Sequence, residues 1–295
     1  MVENHNVEVT TRTLVESMVR EDATIDAAEL YTVANALGMT DQQVRLCIRR
    51  LVGDGRFTQQ GRGRKAILHA TADTASALAP DVEFVRYMFA QDRGEAEWDD
   101  RWHLVAFAIP ESARPARDAM RDGIVRLGGA PIQGGLYVSA NAWEPQLAVL
   151  AAELDVADHV TTCTTADLRV GHIESPRRIA ARLWPLDEIA ARHRRLLDFA
   201  RRTLRRLRAA ELTDTELLTV TIELAAEFTS AMEPDPLLPP QLLPQPWAGT
   251  KARGVVAECW SLLLAAETPS PPRLFRSYAE VVREVTGHAG PLRVS

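Results

Sequence analysis

Gln42, Arg45 and Arg49 are side chains of the types that pair at two points with the edges of adenine and guanine. Their spacing places them along one side of a helix. Leu46 stands between them as an apolar group suited to a thymine methyl, with Thr40, Gln43 and Arg50 alongside. A little further on, Arg62, Arg64 and Lys65 crowd a turn punctuated by Gly61 and Gly63, where cations meet phosphates rather than bases. Between Thr40 and Lys65 seven cations stand against two anions, in a chain of 295 residues whose formal net charge is −6. A basic patch on an acidic chain suits a polyanion approached from one side. The bland alternative is a solvated charged face, and the surrounding elements decide against it.

Leu14, Val15, Met18 and Val19 recur at helical spacing and predict a first helix from Thr11 to Arg20. A second begins at Asp26, an N-cap residue type with Glu29 three positions on, and stops at Gly38. Thr40 and Gln43 form a capping-box pair for a third helix running to Asp54. Its inward arc is Val44, Cys47, Ile48, Leu51 and Val52, opposite the arginines. Arg56–Gln60 and Ala66–His69 read as two strands joined by the basic turn Gly61–Lys65. Helix, turn, basic helix and basic hairpin in series predict a winged helix-turn-helix over residues 1–75, bound to double-stranded DNA.

Beyond a polar stretch at Gln91–Glu97, the order of apolar runs over residues 95–172 is β-α-β-β-α-β, the ferredoxin-like plan. Its strands are Leu104–Ile109, Leu136–Val138 with a partner near Ala130–Ile132, and Asp158–Cys163; its helices follow Ala113–Leu127 and Trp143–Leu154. Residues 176–295 read as a helical domain, with His193 on an apolar stripe and eight arginines between Arg192 and Arg208 around it. Such arginines are ordinarily a solvated face, although phosphates of an effector could use them. The fold class expected is therefore α+β in three domains.

Several function classes are disfavoured. No window approaches a membrane-spanning length, and the N-terminus lacks an apolar signal core, so a cytoplasmic chain with no membrane partner is expected. Cys47, Cys163 and Cys259 are far apart and form no metal or disulfide motif. No metal site, cofactor or catalytic motif is expected, so the chain is not read as an enzyme. The alternatives are a ferredoxin-like metal-dependent nuclease, disfavoured because the first central strand ends Phe107-Ala108-Ile109-Pro110 without a carboxylate, and a winged adaptor for protein partners, disfavoured by the cationic third helix.

Three segments resemble the PaaX-type regulators of phenylacetic acid degradation. They are Thr40–Val52, Trp98–Glu111 (WDDRWHLVAFAIPE) and Asp235–Gly249 (DPLLPPQLLPQPWAG). The resemblance implies a homodimeric repressor of a catabolic operon, bound to an inverted-repeat operator and released by an aryl-acyl coenzyme A thioester. The first segment departs from the family at Arg49, and the stretch after Ala266 matches weakly. Trp98, Arg101, Trp102 and His103 are the candidate effector-binding residues, as an apolar acyl pocket with a polar rim.

Overall fold

The structure is a computed structural model that describes residues 9–78, 82–209, 212–265 and 279–286. It is mixed α/β, predominantly helical, with two small antiparallel sheets. Two compact units are distinguished, each assembled from separate stretches of chain. Of the described residues, one unit takes those up to Arg86, Arg195–Thr229 and those from Lys251 onward; the other takes Tyr87–Arg194 and Ser230–Thr250.

The first unit opens with α1 (Thr11–Ser17), β1 (Thr24–Asp26), α2 (Ala27–Ala36) and α3 (Asp41–Gly53). Then come β2 (Phe57–Gln60) and β3 (Ile67–Ala70), followed by α4 (Ala72–Ala77). The helices start where the sequence expects: Asp26 accepts from the Glu29 amide, and Thr40 and Gln43 close a full capping box. Leu14, Ile25, Leu30, Val44, Leu51 and Leu68 are buried together at the centre. The strand order is β1-β3-β2, all antiparallel. The sequence does not announce β1: three residues between two helices give no period to read, and only pairing with β3 makes them a strand. The first helix ends at Ser17, three residues short of expectation.

The second unit contains a four-stranded sheet of β4 (Trp102–Phe107), β5 (Ala130–Gln133), β6 (Leu136–Ser139) and β7 (Val160–Thr165), in the order β5-β6-β4-β7. β4 and β5 are both antiparallel to β6 and therefore parallel to each other, with β6 between them, which is a split β-α-β arrangement. α6 (Arg114–Arg126) and α7 (Glu144–Glu153) bury Met120, Ile124 and Leu147 on one face against Val105 and Tyr137. The other face is covered by α8 (Pro176–Leu183), by the start of α9 (Leu186–Ala209) and by the strap 235–247, around Trp102, Leu104 and Val138. The break between α8 and α9 falls at Trp184-Pro185, within the stretch that the sequence reads as helical without marking its boundaries.

α5 (Val82–Asp92) is likewise absent from the sequence expectation; its last turn coincides with the polar stretch read as a boundary. α10 (Asp214–Met232), α11 (Ala248–Ala265) and a helix Ala279–Thr286 complete the α-helices among the described residues. In the first unit α11 meets α9 through Cys259 Sγ, 3.4 Å from the Ala200 carbonyl, and Arg208 pairs with Glu258 at 2.9 Å. Burial pushes the Cys259 thiol up to about 12, so it packs as an inert small apolar group.

The strap closes against Gly128, which has φ +83° and receives the Trp184 indole N–H on its carbonyl at 3.0 Å. A Cβ at Gly128 would lie 2.9 Å from the Pro236 carbonyl oxygen and 3.0 Å from its Cα, both backbone atoms that cannot swing aside. Gly128→Ala is therefore expected to cost about 1–3 kcal/mol, through backbone strain and steric overlap. Thermal denaturation measures it, and an unchanged midpoint would show that the strap does not need this close approach.

Candidate nucleic-acid interface

α3 presents the residues singled out by type and spacing. Val44, Ile48 and Leu51 are buried, Cys47 and Val52 are half-buried, and Gln42, Arg45, Arg49 and Arg50 are exposed. Leu46 is 53% exposed in the middle of that outward face. Gln42, Arg45 and Arg49 have no hydrogen-bond or ionic partner among the described residues, so their donors and acceptors face water. Thr40 and Gln43 differ. The Gln43 Oε1 accepts from the Thr40 amide at 2.8 Å and from its hydroxyl at 2.9 Å, so both side chains are engaged in fixing the start of α3. Burial, reinforced by Glu16, pushes the Cys47 thiol up against the opposing pull of Arg12 and Arg50; it is a packing residue.

The β2–β3 hairpin turns through a short 3-10 segment, Gly63–Lys65. Gly61 sits at φ +85°, where a Cβ would be 3.2 Å from the Lys65 carbonyl, so the tight start of the turn requires glycine. The Gln59 side-chain amide bonds back to the Gly61 carbonyl at 3.0 Å. Arg62 and Lys65 are exposed at the tip. Arg64 folds back instead. Its Nη2 lies 3.3 and 3.2 Å from the two Asp41 carboxylate oxygens, and its guanidinium lies 5.3 Å from the centroid of the Tyr31 ring. Tyr31 and Asp41 are thus part of the site, tying the hairpin to α2 and to the first turn of α3. Sequence reasoning missed both; the available signal was the lone acid, Asp41, at the head of a cationic helix.

The four candidate effector residues divide between the two faces of the sheet. Trp102 is 1% exposed and packs in the core of one sheet face, stacked on Trp184 with centroids 6.4 Å apart and edge-on to Trp98 at 5.5 Å. The Trp98 indole donates to the Arg101 carbonyl at 2.9 Å, while the Arg101 side chain is exposed. His103, the next residue along β4, points to the opposite face, because successive strand side chains alternate. There its Nδ1 lies 2.7 Å from Glu144 Oε1 and its Nε2 lies 3.2 Å from Asp99 Oδ2. Strand alternation thus places Trp102 and His103 on opposite faces of the sheet, and the core takes up Trp102. Among the described residues no group of His, Cys, Asp and Glu is placed to hold a metal ion, and no helix is long and apolar enough to cross a membrane.

Comparison with known proteins supplies two family matches. Residues 95–179 match the family described as the PaaX protein central Cas2-like domain, and residues 184–268 match the PaaX-like protein C-terminal domain. No curated protein matches the chain. Among solved structures, an uncharacterized protein, Rv0674 from Mycobacterium tuberculosis, is similar in fold, with a TM-score of 0.50 and 20% identity over 94% of this chain and 99% of that one.

The Glu144–His103 contact has a measurable signature. Burial raises the Glu144 carboxyl, but the His103 hydrogen bond and charge, with backbone amides of Glu144 and Trp143, outweigh it and hold the group below its ordinary value. A carboxyl depressed on folding contributes stability above its unfolded value, and that contribution is lost as pH falls through the folded value. Glu144→Gln is therefore expected to lower the melting temperature near neutral pH and to flatten its decline between about pH 5 and 3. Superimposable acid limbs for parent and variant would show that the contact carries no such linkage.

Proposed function

The chain belongs to the PaaX-type family of transcription regulators, and from that premise we propose that it is a homodimeric DNA-binding repressor with a winged helix-turn-helix at its N-terminus. In this reading α3 is the recognition helix, lying in the major groove, and the β2–β3 hairpin is the wing, lying along phosphates. The order α1-β1-α2-α3-β2-β3, with β1 added to the hairpin, supports the winged assignment. The observation that carries the proposal is the outward face of α3: Gln42, Arg45 and Arg49 unpartnered among the described residues, with Leu46 exposed between them. Exposing an unpaired leucine between arginines brings no packing gain, whereas a thymine methyl in a groove accounts for both.

One helix and one wing cover a half-site, so two copies are expected on an inverted repeat with half-sites about 10–10.5 base pairs apart or a multiple of that. The ferredoxin-like centre and the helical C-terminal part then serve assembly and control rather than catalysis. Release by an aryl-acyl coenzyme A thioester rests on the family resemblance, with its pocket unassigned. Titration of acyl coenzyme A thioesters against the operator complex should weaken binding by a coupling of about 1–3 kcal/mol.

Reading and holding separate under mutation. Arg45→Ala or Arg49→Ala is expected to cost about 1–3 kcal/mol on the operator and to relax preference at particular base pairs. Lys65→Ala should weaken all sequences alike and reduce the slope of log K against log salt by about one for each phosphate that is no longer neutralised. Binding to operator and scrambled DNA at several salt concentrations measures both. An Arg45→Ala protein that binds its operator like the parent, with specificity intact, would overturn the assignment of α3.

A further inference from the structure

The four-stranded sheet has two edges, and they are treated differently. β5 carries Pro131 and has an irregular register between Pro131 and Gln133. Those are two of the devices by which proteins keep a sheet edge from pairing with another chain. β7 has neither of them. Its sequence, Val160-Thr-Thr-Cys-Thr-Thr165, holds no charge and no proline, is dominated by β-branched residues, and pairs in register with β4 along its length. Thr161, Thr162, Cys163 and Thr164 are all exposed, and the Thr164 hydroxyl donates to Glu144 Oε1 at 3.5 Å.

The register states which backbone groups are free. The Ala108 amide donates to the His159 carbonyl at 3.0 Å, and the pairs Ala106–Thr161, Leu104–Cys163 and Trp102–Thr165 follow in phase. In an antiparallel ladder alternate residues turn both backbone groups to the same neighbour. Thr161, Cys163 and Thr165 therefore bond β4, while Val160, Thr162 and Thr164 turn their N–H and C=O groups outward.

We propose that β7 is the self-association edge: two copies pair β7 to β7, antiparallel, across a two-fold axis at Thr162, giving one continuous eight-stranded sheet. In that register Thr162 meets Thr162 of the second copy and Val160 meets its Thr164, so every outward backbone group of the strand is bonded. A shift by two residues either way leaves one such pair outside the strand, and a shift by one brings outward groups against inward ones. A strand without charge can meet itself without setting like charges face to face. The contact is isologous and closes at two copies. It supplies the surface for the dimer that the operator reading calls for, and rests on that reading only for the need of two copies.

Light scattering on the full chain at micromolar concentration tests the proposal. The parent is a dimer. Thr162→Pro removes an outward N–H that β4 does not use, and Thr162→Lys sets two ammonium groups opposite each other; each weakens dimerisation at least tenfold while circular dichroism and melting stay near the parent's. In this register Cys163 and its counterpart are diagonal neighbours, about 7–8 Å apart. A short bis-maleimide then joins two chains, and Cys163→Ser abolishes the product. Parent and both variants equally dimeric would place the contact elsewhere and overturn the proposal. A monomeric parent overturns it too, and hydrogen exchange of the 160–165 peptide then tells whether a segment of the same chain occupies the edge. Operator binding on the same samples judges the DNA reading separately, since a monomer with an intact α3 still discriminates its half-site.

Discussion

The second unit depends on a stretch of irregular backbone buried where loops ordinarily do not go. Residues 235–239 are all buried, and Leu242, Leu243 and Trp247 extend the same strap into the core beneath the sheet. Burying a loop leaves peptide groups away from water, and each unpaired one costs free energy comparable to that of a missing hydrogen bond. Here the sequence reduces the demand, since Pro236 and Pro239 have no N–H to satisfy. Part of the remainder is met by side chains. The Leu237 amide donates to Asp235 Oδ1 at 2.9 Å, and its carbonyl accepts from Gln91 at 2.8 Å and from Asn141 at 3.0 Å. Asp235 is in turn held by the fully buried His193, 2.6 Å away, whose ring lies edge-on to Trp247. His193, a packed histidine by its place on the apolar stripe, is also the anchor that lets a carboxylate stay inside.

That arrangement explains why the proline-rich segment carries so much of the family resemblance. Its composition resembles a linker, and a reading by composition alone would leave it in solvent. The leucines between the prolines fill one face of the sheet, next to Trp102 and Trp184. The same logic applies to Trp98-Asp-Asp-Arg-Trp-His: the alternation of β4 sends Trp102, with Trp98 against it, to packing on one face and His103 to a histidine–carboxylate contact on the other.

What was legible followed from strong local signals. The capping box at Thr40 and Gln43, the apolar arc of α3, the glycine-marked hairpin and the β-α-β-β-α-β order all have a period or a cap that survives without tertiary context. What was not legible had no such signal. β1 is too short to show alternation. α5 has mixed polarity and its end overlaps a polar stretch. The α8–α9 break needed the Trp184-Pro185 junction to be weighed within a region read only as generally helical. Within the candidate interface, exposure of Arg45 and Arg49 was predictable from helical phase, whereas the retention of Arg64 by Tyr31 and Asp41 was not. Their contact joins residues far apart in sequence.

The Arg64–Asp41 pair gives the hairpin an internal stand-in for phosphate. The guanidinium has a two-oxygen anion before it and an aromatic ring beside it, a half-exposed contact that links the turn to the first turn of α3 and to α2. Under the proposed DNA-binding reading, a duplex that engages Arg64 exchanges one anion for another, so the residue would contribute less to tightness than to the angle between the hairpin and the helix.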